Sequence, residues 1–105
     1  MFDISRLEKI TGSILFKFSS LKKLYVNECK NLKDDHLISF IRCADALDLL
    51  KIYICEKITD SVVIAAVEIT KMRTNNVILD IQIESEKINF KKINGKSPLL
   101  HLSMD

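Results

Sequence analysis

The chain has 105 residues, of which 48% are hydrophobic, with 16 basic and 14 acidic side chains and a formal net charge of +2. That composition fills the core of one small domain, burying roughly 65% of the unfolded surface, and excludes intrinsic disorder. Interspersed, nearly balanced charge supplies no basic stripe for nucleic acid or an anionic membrane. The longest apolar run, Val62 to Val67, is too short to cross a bilayer, and Met-Phe-Asp-Ile-Ser-Arg lacks the basic-then-apolar start of a signal peptide. Two Gly and one Pro leave no flexible linker. Three cysteines without a close pair predict reduced thiols and an intracellular site, cytoplasmic or nuclear.

In chain order, Phe2-x-Ile4-x-x-Leu7-x-x-Ile10-Thr11-Gly12-x-x-Leu15 opens with a short alternation. Leu24 and Val26 alternate, which predicts a strand with one buried face. Leu37, Phe40 and Ile41 then share a helical face, with Asp34 or Asp35 placed as the N-cap acceptor. Leu50 and Ile52 alternate again, and Val63, Ala66 and Val67 follow at helical spacing behind Thr59 or Asp60. Val62-Val63-Ile64 favours strand locally, but the equivalence with Leu37–Ile41 decides for helix. Leu79-x-Ile81 and Leu100-x-Leu102 read as two further strands, and Lys91-Lys92-Ile93-Asn94-Gly95 between them as a short turn or loop. Parallel strands are expected to start near Leu24, Leu50, Leu79 and Leu100, with helices near 35–45 and 60–72.

Behind these elements is a repeat. A shift of 26 residues carries Leu21 onto Leu47, Leu24 onto Leu50, Val26 onto Ile52, Cys29 onto Cys55, Leu32 onto Ile58, Asp34 onto Asp60, Leu37 onto Val63 and Ile41 onto Val67. A period in this range means one strand-turn-helix unit stacked on the next. The stretch Leu47-x-x-Leu50-x-Ile52-x-x-Cys55-x-x-Ile58-Thr59-Asp60-x-x-Val63 resembles the cysteine-containing leucine-rich repeat, and the Leu21 unit matches with Lys33 in place of the Thr. The resemblance is strong over residues 21–72. It implies an α/β, right-handed leucine-rich-repeat solenoid of about four units, at about 2–20, 21–46, 47–75 and 76–105, with parallel strands on the concave face. The last units are irregular: Glu84 or Ser85 stands where Cys is expected.

Several side chains invite chemistry. Cys29 and Cys55 are repeat-equivalent but have no C-x-x-C spacing or nearby His, so they read as a buried, metal-free ladder, and Cys43 is assigned no chemistry. His36 lies in the first turn of a helix as a solvated residue. His101, between Leu100 and Leu102, faces outward, with Asp80 one repeat away. One His and one Asp without a nucleophile do not make a catalytic site, and there is no nucleophile elbow, phosphate loop or metal motif. The chain reads as a non-enzyme without cofactor. Lys87, Lys91, Lys92 and Lys96, offset by Glu84 and Glu86, read as a solvated loop.

Residues alternating with the core must point outward. Their first column is expected to be Asp3, Tyr25, Lys51, Asp80 and His101, and the second Ser5, Asn27, Tyr53, Gln82 and Ser103. Two tyrosines among mixed charges suit a protein-binding face, so Tyr25, Asn27, Lys51, Tyr53, Asp80, Gln82 and His101 are the candidate contact residues. The repeat subtype implies resemblance to the substrate-recognition repeats of F-box ubiquitin-ligase receptors. Ligase components would then be recruited through sequence outside this chain, since no F-box is visible in it. The alternative is a stand-alone repeat scaffold or assembly factor. Phe2 at one end and Leu99, Leu100 and Leu102 at the other lack polar caps, which predicts covering by further repeats or another subunit.

Overall fold

A computed structural model describes residues 2–5, 20–29, 32–84 and 97–104. They form a five-stranded sheet, β1 (Phe2–Ser5), β2 (Lys23–Asn27), β3 (Leu49–Tyr53), β4 (Leu79–Glu84) and β5 (Leu100–Met104), in sequential order and parallel throughout. Helix α1 (Asp34–Cys43) joins β2 to β3, and α2 (Asp60–Lys71) joins β3 to β4. The expected strand starts and both helices stand where the periodicity places them. The unit expected at 76–105 contributes two strands. The turn expected at 91–95, the Lys87–Lys96 cluster and the Leu7–Leu15 stretch lie outside the described residues.

Alternation sets the faces of the sheet. Leu24, Val26, Leu50, Ile52, Leu79, Ile81 and Ile83 are all buried. They share one core with Leu37, Phe40 and Ile41 of α1 and Val62, Val63 and Ala66 of α2. Both helices therefore cover the same face, and each fully buried Leu or Ile contributes about 1.5–3 kcal/mol. The β-branched run Val62-Val63-Ile64 is helical, with two members inward and Ile64 exposed. Burial of a helical stripe outweighs its local strand preference.

The repeat is carried into the backbone. Leu24 pairs with Leu50 and Val26 with Ile52, the same shift of 26 residues. Beyond each strand the chain turns at equivalent points. Glu28 and Ile54 both have left-handed backbones (φ 56° and 55°). Their amides still extend the sheet, Glu28 N donating to Tyr53 O at 3.0 Å and Ile54 N to Glu84 O at 3.3 Å. Buried Cys29 and Cys55 follow. Their thiols donate to the carbonyls of Asn27 (3.6 Å) and Tyr53 (3.4 Å), and their own carbonyls accept from Leu32 N and Ile58 N. Burial pushes the Cys55 thiol up from 9.0 to about 11. Cys43, by contrast, is exposed.

Capping departs from the expectation at one helix. Thr59 caps α2, its hydroxyl accepting from Ser61 N at 3.3 Å. At α1 the N-cap position is held by Lys33, not by an aspartate, and His36 Nδ1 accepts from Lys33 N at 3.3 Å. Asp34 is used elsewhere. Its carboxylate accepts from Thr59 N at 2.7 Å and from the Thr59 hydroxyl, tying one strand-helix unit to the next. Asp34 thus makes a charge-assisted tie between units, while Asp35 Oδ1 accepts from His36 N at 3.1 Å in the first turn.

The largest correction concerns β4. Equating Leu79 with Leu50 puts Asp80 beside Lys51, but the register pairs Leu50 with Ile81, Lys51 with Gln82 and Tyr53 with Glu84. Three alternating apolar residues allow two pairings that differ by two residues, and both keep the same face inward. The connection after α2 chooses between them. Arg73 Nη1 donates to Leu47 O (3.0 Å) and Val77 O (3.1 Å), Nη2 donates to Ala44 O (3.0 Å), and Asn75 Nδ2 donates to Asp45 O (2.8 Å). These bonds tie the connection to the preceding turn in the register where β4 stands two residues from the expected pairing. The position equivalent to Cys55 moves from Glu84 or Ser85 to Glu86, outside the described residues.

Candidate functional site

The face of the sheet opposite the helices carries three rows of side chains, set by register. The first runs Lys23, Leu49, Asp80, His101; the second Tyr25, Lys51, Gln82; the third Asn27, Tyr53, Glu84. No described helix lies against them. Parallel sheets normally have both faces covered, because crossover helices fall on both sides. Here both described crossovers fall on one side, and the residues of the other are mostly half-buried.

The tyrosines meet diagonally across β2 and β3. Their ring centroids are 5.3 Å apart and the planes stand at 87°, an edge-to-face pair. Such pairs fix both rings and present a broad apolar surface with a polar tip. Along the first row, His101 Nδ1 lies 3.1 Å from Asp80 Oδ1, and Gln82 Nε2 donates to Asp80 Oδ2 at 3.3 Å. Lys23 pairs with Asp48 at 2.9 Å. Lys51, in the middle row, is half-buried and makes no hydrogen bond or ion pair among the described residues. Asn27 Oδ1 is buried without a partner there.

Of the candidate contact residues, Tyr25, Asn27, Lys51, Tyr53, Asp80 and Gln82 lie half-buried on this face, with His101 exposed at its β5 side. Their neighbours differ from the expected columns: Lys51 stands next to Gln82, while Asp80 stands between Leu49 and His101. The side chains of Asp3, Ser5 and Ser103 lie outside the described residues. Lys23, Leu49 and Glu84 share the face and were missed, although the same alternation, carried one step further along each strand, finds them. Ile54, 54% exposed at the left-handed turn beside Tyr53, was missed as well, and its conformation has no sequence signal because such turns favour Gly or Asn.

Elsewhere, a groove of about 370 Å³ opens between the helix ends, floored by Ile41, Ile69 and Met72 and flanked by Arg42, Asp45 and Arg73. Both terminal nitrogens of Arg73 are already occupied by backbone carbonyls, and burial pushes its guanidinium below the ordinary value, against the pull of Asp45. Its role is to hold the connection. Among the described residues no group of three His, Cys, Asp or Glu side chains is placed to hold a metal ion, and no helix is long and apolar enough to cross a membrane.

No family model, curated protein or solved structure matches this chain.

Proposed function

We propose that the chain is a protein-interaction module, built as a leucine-rich-repeat solenoid and binding its partner on the face of the sheet that no described helix covers. One observation carries the reading: an all-parallel sheet covered by helices on one side, with an edge-to-face tyrosine pair in the middle of the other. The sequential strand order, the shift of 26 residues between β2 and β3 and the paired left-handed turns before Cys29 and Cys55 support the repeat architecture. Rigid aromatic side chains are the strongest anchors at protein interfaces, each worth about 2 kcal/mol or more when truncated. In the cysteine-type repeats that the sequence resembles, this face holds the substrate of an F-box ubiquitin-ligase receptor, and that is the role we assign here.

The test is affinity capture with the purified chain. Tyr25→Ala combined with Tyr53→Ala is expected to remove the proteins retained by the wild type and to leave the circular dichroism spectrum unchanged. Met72→Ala, on the helical side, is expected to retain them. Equal recovery from the double variant and the wild type refutes the reading. Ligase components among the retained proteins would separate a ubiquitin-ligase receptor from a scaffold.

A further inference from the structure

Lys51 distinguishes the open face from an ordinary solvated one. It occupies the middle row, between Tyr25 on β2 and Gln82 on β4, and its own strand places Leu49 and Tyr53 on either side of it. The other charges of the face are provided for. Asp80 is met by His101 and Gln82, Lys23 by Asp48, and Glu84 is exposed at the end of β4. Among these charged residues Lys51 alone is half-buried with no hydrogen bond or ion pair among the described residues.

A protein docking over Tyr25 and Tyr53 covers Lys51 too, since Tyr25 is directly opposite it and Tyr53 two residues along the same strand. Stripping water from an unpaired ammonium is costly unless the incoming surface supplies an anion. The anion is also limited in charge. Asp80 is diagonal to Lys51 and Glu84 stands on the next row, so a doubly charged phosphate or a polyanion meets repulsion from both. Bidentate phosphate recognition draws on Arg, and no Arg belongs to the three rows, which leaves Lys51 to act as a single point charge. A single carboxylate matches the single ammonium.

Resting on the protein-binding reading above, we propose that the partner presents the carboxylate of an Asp or Glu side chain to Lys51, within a segment whose neighbouring apolar side chain lies on the Tyr25–Tyr53 pair.

Selection of a random peptide library on the immobilised full chain tests this. Peptides enriched by the wild type, and no longer bound by Tyr25→Ala with Tyr53→Ala, are expected to share one acidic position beside an apolar one. Selection on Lys51→Glu is expected to replace the acidic residue with Lys or Arg. Resynthesised peptides with Glu changed to Gln should lose about tenfold in affinity for the wild type and for Lys51→Arg. Lys51→Met, its fold checked by circular dichroism, should bind the two peptides within about twofold of each other. Tyrosine-dependent peptides with no acidic position, or the same acidic preference on Lys51→Glu, overturn the carboxylate assignment and leave the face reading intact. Tighter binding of phosphoserine than of Glu at that position also overturns it. Enriched peptides indifferent to the tyrosine pair, or no enrichment, overturn both.

Discussion

The two faces of this sheet are made by the same five strands, often by adjacent residues, and obey different rules. Leu50 and Ile52 are 0% and 1% exposed beneath the helices, while Lys51 and Tyr53 between and beside them are half-buried on the other side. Inside, each position tolerates only an apolar side chain of the right volume, and the repeat is legible because volume is what packing selects. Outside, repeat-equivalent positions hold unrelated residues: Tyr25 matches Lys51, and Asn27 matches Tyr53. The helix-covered side therefore preserves the period and the open side discards it. This is the division expected when one face holds the fold together and the other is free to be specific.

The sharpest way to break that comparison is to truncate neighbours of opposite orientation. Leu50→Ala leaves a cavity in the shared core and should cost about 2–5 kcal/mol, measured by urea denaturation. Lys51→Met, one residue away, should change stability by less than about 0.5 kcal/mol. Similar losses from both would mean that the open face is part of the packed structure.

A smaller effect follows from the buried thiol behind the sheet. The Cys55 pKa lies at about 11 against 9.0 for an ordinary thiol, because burial disfavours the thiolate. The unfolded chain then loses its proton at lower pH than the folded one. Stability from this source is complete below pH 9, falls as pH rises through the interval to about 11, and is lost progressively rather than regained. Cys55→Ala should be less stable at neutral pH and show a shallower alkaline decline, followed by thermal melts across that interval. Parallel alkaline declines in the wild type and Cys55→Ala would show that the Cys55 thiol is not shielded.

The smallest expected change lies where the chain leaves the open face. Ile54 is β-branched and left-handed, a conformation costing an L-residue about 1–2 kcal/mol. Ile54→Gly relieves this but adds chain entropy to the unfolded state, so a net gain of up to about 1 kcal/mol is expected. A loss would show that the exposed Ile54 side chain contributes packing that outweighs its strain.

Much of the fold was legible because its determinants are local and periodic. Leu24/Val26 and Leu50/Ile52 name strands by alternation, Leu37–Ile41 and Val63–Val67 name helices by spacing, and the same parity puts Tyr25, Lys51, Tyr53, Asp80 and Gln82 on one face. The strand preference of Val62–Ile64 was overruled correctly by the repeat. The expectation that Asp34 or Asp35 caps the first helix rests on the preference of helix starts for an aspartate; Asp35 Oδ1 accepts from His36 N. The Asp34 carboxylate instead reaches Thr59, a partner 25 residues away.

By itself the sequence determined which residues face the core, where both helices lie, and that strands β2 and β3 pair in parallel at a shift of 26 residues. Each of these follows from period and burial, which a linear pattern encodes. Only the tertiary structure decided who stands beside whom on the open face. The pairing of β4 was degenerate in Leu79, Ile81 and Ile83, since a two-residue slip keeps the same side chains on the inner face. The bonds of Arg73 and Asn75 to the carbonyls of the preceding turn hold the connection in one of the two registers. In that register Gln82, not Asp80, stands beside Lys51, whose ammonium has no counterion among the described residues.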